Sequence, residues 1–242
     1  TINWKAEKVL LNQISDLYEK RRAVTNKRQR KVLYHKIDEI SGDAAKFAIP
    51  NEYHKMMSSI GAKGTNAYTS AEQTVYLTNI PCYEIENWLK IESERFSELV
   101  LRLFHTEIET IYEEYNKGKD DDHWLVTETM NKHLFKKHTY GTQTIIGKSE
   151  HIKNASMEKI HQHFNERYIA NNMAIVLSGD LDPDNTVDLI NKYFGAYESK
   201  ELQRFTPAVE DEIVEPVYVT VKGNQASNVT IGYRYLYLKS FQ

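Results

Sequence analysis

Cysteine is almost absent. Cys82 is the only one, which excludes an internal disulfide and a cysteine-based zinc centre. No apolar run approaches the ~18 residues that mark a membrane span, and the opening residues carry no secretory leader pattern. Positive charge is not in excess either: 31 basic against 34 acidic residues leave a formal net charge of -3, which speaks against a nucleic-acid binder. The densest basic run (Lys20, Arg21, Arg22, Lys27, Arg28, Arg30 and Lys31) lies on helical sequence and reads as a solvated face. Phosphate-binding glycine loops, dinucleotide fingerprints and the G-x-S-x-G elbow are all missing. So are H-E-x-x-H and H-x-x-E-H. His133 and His138 are five apart and His161 and His163 two apart, so neither pair shares a helix face. Each lone histidine, like His35 with Glu39, reads as structural or solvated.

What is present is the balance of a globular chain: 242 residues, 40% hydrophobic and 27% charged. Residues 3–42 read as a charged helical pair. Trp4, Val9, Leu10, Ile14 and Leu17 recur at helical spacing, Asn26 can cap the second helix and Gly42 can end it. A third helix is expected from Pro50 to Ile60, ended by Gly61, followed by a strand pair at Thr65–Ser70 and Thr74–Ile80. Residues 83–98 form a helix whose stripe contains Ile85, Trp88, Leu89, Glu92 and Phe96. A long acidic helix follows, then a loop over 136–155 and a helix over 156–168. A buried strand is expected at Met173–Ser178, and a helix from Asp182 to Phe194 closed by Gly195. The segments "PVYVTVKG" and "NVTIGYRYLYL" read as two final alternating strands. Scattered strands in adjacent pairs favour an α+β fold with a largely antiparallel sheet packed with several helices. The division expected is a 1–48 helical-pair insertion and a 49–242 α+β body.

The acidic helix contains "HTEIETIYEEYN", with Glu107, Glu109, Glu113 and Glu114. Residues seven apart return to nearly the same face, so Glu107 and Glu114 share one, about 10 Å apart along the axis at ~1.5 Å per residue. On a straight helix they cannot both touch one metal. Glu109 and Glu113 share a different face. Spacing alone leaves a solvated acidic surface as the default reading of all four.

Several motifs in order add a second line of reasoning. "GAKGTNAYTSAEQTVY", "ENWLKIESERF", "TEIETIYEEYN", "HTYGTQTIIG" and "NNMAIVLSGDLD" followed by "INKYFG" together resemble the insulinase/pitrilysin-type zinc metallopeptidases, or inverzincins, a superfamily that includes the mitochondrial processing peptidases. The resemblance covers roughly residues 50–235. In that family two histidines of H-x-x-E-H and a distal glutamate hold zinc, and the motif's own glutamate is the general base. The resemblance nominates Glu114 as the third zinc ligand and Glu107 as the supporting acidic residue. It also makes Asn66, Ala67 and Tyr68 substrate contacts, on a strand edge to which an extended peptide adds by backbone pairing. Thr139 and Ala170 depart from the family, which often has proline there.

The larger departure is the missing H-x-x-E-H. The chain opens at Thr1 without methionine, and residues 1–60 fill the space with the helical pair. The expectation is a fragment of the N-terminal half of a zinc endopeptidase, inactive in isolation, with the metal motif ahead of Thr1 and no zinc held at this site. The alternatives are a non-catalytic peptidase-like partner subunit and a helical protein-binding module. The resemblance further implies a peptide or protein substrate, a second peptidase-like domain or chain as partner, and a bacterial periplasmic or cell-envelope location.

Overall fold

The computed structural model of the chain describes residues 2–235. It divides into two compact units. One contains the chain up to Glu107 together with Asn154–Arg204, and the other contains Ile108–Lys153 together with the chain from Phe205 onward.

The first unit opens with α1 (Trp4–Ala23) and α2 (Lys27–Ala45). Asn3 and Asn26 cap them. Asn3 Oδ1 accepts from Ala6 N, and Asn26 Oδ1 accepts from the amides of Arg28 and Gln29 at 2.9 and 3.1 Å. Only three residues separate the two helices, so they pack as a hairpin. Ile14, Leu17, Tyr18, Ile37 and Ala44 are their buried residues of apolar or aromatic character. Gly42 does not end α2, which runs on to Ala45; an interior glycine costs about 1 kcal/mol relative to alanine and is tolerated when packing holds the helix. Arg30 is not part of a purely solvated face. Its guanidinium donates to the carbonyls of Arg21 and Val24, which no helical amide can reach at the end of α1, and to Asn154 Oδ1.

The helical pair is tied to the rest of its unit by polar contacts. Arg102 Nε donates to Glu7 Oε1 at 2.7 Å, Ser156 Oγ donates to Glu19, and the Tyr18 hydroxyl shares a 2.8 Å hydrogen bond with His105 Nδ1. The same unit contains α3 (Glu52–Ser59), the strands β1 (Lys63–Thr69) and β2 (Thr74–Asn79), and α4 (Ile85–Ser97). The helix α5 (Phe104–Lys119) begins in it and runs on into the second unit. The helices α6 (Asp122–Leu134), α7 (Thr139–Thr142) and α8 (Ser149–Ile152) belong to that second unit, and α9 (Met157–Arg167) and α10 (Pro183–Phe194) to the first. Ser156 caps α9. Asp182 caps α10, with Pro183 in its first turn and Gly195 at its end.

The sheet differs from the expected one. Among the described residues β1 and β2, an antiparallel pair, make up the whole of it. The fold is mixed helical with this small sheet, and a largely antiparallel sheet is not seen. Met173–Ser178 carries no ladder, and neither do "PVYVTVKG" or the described part of "NVTIGYRYLYL". The last residues of that final segment lie outside the described residues. Alternation of apolar and polar residues says which side chains share a face, but a strand also needs a neighbouring backbone. These segments have none, and Val176, Tyr218, Val229 and Tyr233 stand exposed.

In the second unit polar clamps replace that pairing. Asp121 caps α6 by accepting from Trp124 N. Asp122 Oδ2 accepts from the amides of Asn224 and Gln225 at 2.7 and 2.8 Å. This approach requires Gly223, where a Cβ would stand 2.3 Å from the Asp122 carboxylate. Glu210 Oε1 accepts from the amides of Lys137 and His138, both at 2.6 Å, and the Arg234 guanidinium lies 3.5 Å from Glu210 Oε2. Desolvation acts to raise the Glu210 pKa, but the amides and the Arg234 charge outweigh it, so the carboxyl lies below its usual range. A carboxylate depressed on folding stabilises above its unfolded pKa and loses that effect as pH falls through the folded value. Amide-exchange protection at Lys137 and His138 should therefore be full at pH 6 and be lost only as pH falls below the usual carboxylate range. Glu210→Gln should weaken it already at neutral pH. Protection at neutral pH unchanged in Glu210→Gln would contradict the clamp.

Candidate functional site

The hairpin β1–β2 is the feature that best suits binding. Its register pairs Asn66 with Leu77, Ala67 with Tyr76, Tyr68 with Val75 and Thr69 with Thr74. The pairing shifts between Lys63 and Asn66, where Gly64 takes φ 62°. A bulge of this kind favours glycine because a left-handed backbone costs it nothing. Ser70 N donates to Gln73 O at 2.8 Å across the turn. Opposed residues alternate between hydrogen-bonded and non-bonded pairs along an antiparallel ladder. Counting from Ser70, the backbone groups of Ala67 and Thr69 turn away from β2, toward the outer edge of β1. No other described strand covers that edge. The Ala67 amide is held by the Asn66 side chain, whose Oδ1 accepts at 2.8 Å. Asn66, Ala67 and Tyr68 are all exposed.

Behind β2 sits a cluster that the sequence did not announce. Arg95 of α4 lies against the rings of Tyr53, Tyr76 and Phe96, with its guanidinium carbon 4.3, 4.5 and 5.3 Å from their centroids. It donates to the Tyr53 hydroxyl at 3.0 Å and pairs with Glu92 at 3.4 Å. Tyr53 donates to Glu92 at 2.6 Å. The Tyr76 and Tyr168 hydroxyls share a hydrogen bond at 2.7 Å. Burial and then the Glu92 hydrogen bond push the Tyr53 phenol upward, and burial followed by the Tyr168 bond does the same for Tyr76. Both phenols are neutral at physiological pH. Glu92 is buried in a stripe otherwise occupied by apolar residues. A carboxylate at such a position was the one available signal that a cation would lie opposite.

The four glutamates are all exposed on α5. Glu107 lies in the first unit and Glu114 in the second, on one continuous helix. Among the described residues no group of three or more His, Cys, Asp or Glu side chains is arranged to hold a metal ion. The donor set present does not by itself fit a zinc centre. His133 and His138, like His105, have structural partners. His133 Nδ1 lies 2.8 Å from the Thr129 carbonyl. His138 caps α7, its Nδ1 accepting from Tyr140 N at 3.1 Å.

Residues 154–241 match the peptidase M16 inactive domain. A probable mitochondrial-processing peptidase subunit beta of Schizosaccharomyces pombe is 28% identical over 138 residues, 55% of this chain and 29% of that protein. The chain is a relative of the M16 peptidases. This is the relationship that the ordered motifs imply. The mitochondrial-processing peptidase subunit beta of Dictyostelium discoideum is 24% identical over 164 residues, 66% of this chain and 34% of that one. An uncharacterised zinc protease of Rickettsia felis is 23% identical, over 59% of this chain and 35% of its own. Two solved structures share the M16 fold at 20% identity and a TM-score of 0.59. One is a protease from Helicobacter pylori (65% of this chain, 38% of that one), and the other is the first half of the periplasmic protease PqqL from Escherichia coli (65% and 36%). The chain thus spans about a third of the length of the curated M16 relatives it matches.

Proposed function

We propose that this chain is part of a zinc-dependent endopeptidase and that its own share of the work is to receive the substrate as an added strand on β1. The observation that carries this reading is the open outer edge of β1, with the Ala67 and Thr69 backbone groups turned toward it. Relatives named as zinc proteases support the metal. In this reading Glu114 is one zinc ligand and Glu107 supports it. The 242 residues contain no H-x-x-E-H to offer two histidine ligands and a general base. Zinc, when bound, would supply a polarised water. In this reading the 242 residues alone are inactive. The 1–48 helical pair is then an insertion beside the 49–242 body. A second peptidase-like domain or chain completes the enclosure of substrate. The periplasmic protease among the structural relatives supports an envelope location.

The experiment is a titration of isotope-labelled chain with a heptapeptide of alternating threonine and valine, beside the same peptide N-methylated at every second amide. The expected result is shifts at Ala67 and Thr69 with the first peptide and none with the second. Equal shifts with both, or shifts confined to α1 and α2, would sink the edge reading. Zinc added to the same sample should not bind stoichiometrically; tight zinc abolished by Glu114→Ala would show that the chain holds a complete site.

The second reading is a non-catalytic, peptidase-like partner subunit. It is favoured by the inactive-domain match over residues 154–241. An H-x-x-E-H in the parent sequence supports the enzyme, and its absence supports the partner.

A further inference from the structure

We propose that Arg95 is a positioning residue for the peptide-receiving edge: the Glu92–Arg95–Tyr53 cluster clamps Tyr76, and through Tyr76 it fixes the strand opposite Ala67. The inference rests on the β1-edge reading and deepens it.

Register is the first support. Tyr76 lies directly opposite Ala67, and directly opposed residues on an antiparallel pair project from the same face. The residue that anchors β2 is therefore the cross-strand neighbour of the residue whose amide turns to the open edge. A two-stranded hairpin has marginal stability alone and needs packing on one face. Here that packing comes from α4 and the residue Tyr168: Arg95 and Phe96 lie against the Tyr76 ring, and Tyr168 holds its hydroxyl.

Chemistry is the second support. A guanidinium is planar, stays charged, and can lie on aromatic faces while its N–H groups serve other partners. Arg95 uses both properties. It touches three rings and also donates to Tyr53 and Glu92. Glu92 is buried, so its charge requires Arg95 as partner. The result is a clamp whose parts cannot be exchanged one at a time. Lysine would retain charge and lose the flat face. Methionine would retain part of the contact and leave Glu92 without its cation.

The test uses the full 242-residue chain. Amide exchange is followed across β1–β2, with Ile37 of the helical hairpin as internal control, and the alternating heptapeptide is titrated into each variant. Arg95→Met should reduce protection of the hairpin amides by about tenfold and weaken peptide binding by a similar factor, leaving Ile37 unchanged. Arg95→Lys should recover part of both. Tyr76→Phe, which removes only the bond to Tyr168, should reduce them by about threefold. Unchanged hairpin protection in Arg95→Met, or an equal loss at Ile37, would overturn the clamp. If Arg95→Met does not fold, Tyr76→Phe and Glu92→Gln decide it: a hairpin no looser in either overturns the inference. The two levels separate cleanly. A heptapeptide that fails on the unaltered chain removes the edge reading, whereas one that binds the unaltered chain and Arg95→Met equally well removes the clamp alone.

Discussion

Arg102→Met should lower the stability of the chain by about 3–5 kcal/mol, the range for removing one partner of a buried ion pair. Glu7 is the reason. It is 1% exposed, and its Oε1 accepts from Arg102 Nε at 2.7 Å. Its other oxygen, Oε2, has no hydrogen-bond partner among the described residues. The carboxylate therefore depends on a single charged donor. Methionine offers no donor in place of the guanidinium, and the desolvation of the charge is left uncompensated. The opposite deletion should cost less. Arg102 is about a third exposed, so Glu7→Gln leaves a guanidinium that can turn toward solvent, with Trp4 still against it. Urea denaturation followed by circular dichroism measures both. Arg102→Met within 1 kcal/mol of the unaltered chain, or Glu7→Gln the more damaging of the two, would show that the pair does not hold α1 to residue 102.

Leu89→Ala should cost about 2–5 kcal/mol, as large-to-small substitutions in a packed core do. Leu89 is fully buried in α4, the helix that packs with α3 and α10 and carries Glu92 and Arg95. Leu89, Glu92 and Phe96 recur at i, i+3 and i+7, so a cavity at 89 opens directly under the clamp. The volume-conserving Leu89→Met should cost less than about 1.5 kcal/mol. Thermal unfolding distinguishes them: similar midpoints for the two variants would mean that packing at Leu89 is not limiting.

Local signals were legible. Asn26 and Asp182 were positioned to open helices and cap them, because a cap is decided by one side chain and amides two or three residues away. The hairpin was legible for the same reason, since its turn and its alternation lie within about twenty residues. The short helices α7 and α8 were not, because four-residue turns have no periodicity to detect. The expected strands at 173–178 and in the described residues after 215 failed at a different level. Their residues suit a pleated surface, but pairing belongs to two segments at once. In the site, the shared face of Glu107 and Glu114 was written in the helical period. The Arg95 cluster was not, because it joins positions 53, 76, 92 and 168 across four separate segments. Only the oddity of a glutamate in an apolar stripe hinted at it. Arg30 hid for a related reason: a basic run looks alike whether its members face water or cap a neighbouring helix.

The hydrogen bond from the Ala67 amide to Asn66 Oδ1 also sets how a guest chain must be recognised. The resting edge is already occupied by an acceptor of its own. An incoming carbonyl exchanges one hydrogen bond for another at that amide, and such an exchange yields little net free energy. Affinity then accumulates only over several consecutive backbone pairs and the side chains beside them. Short peptides should be poor guests whatever their composition, and length, before sequence, should be the first thing the edge measures.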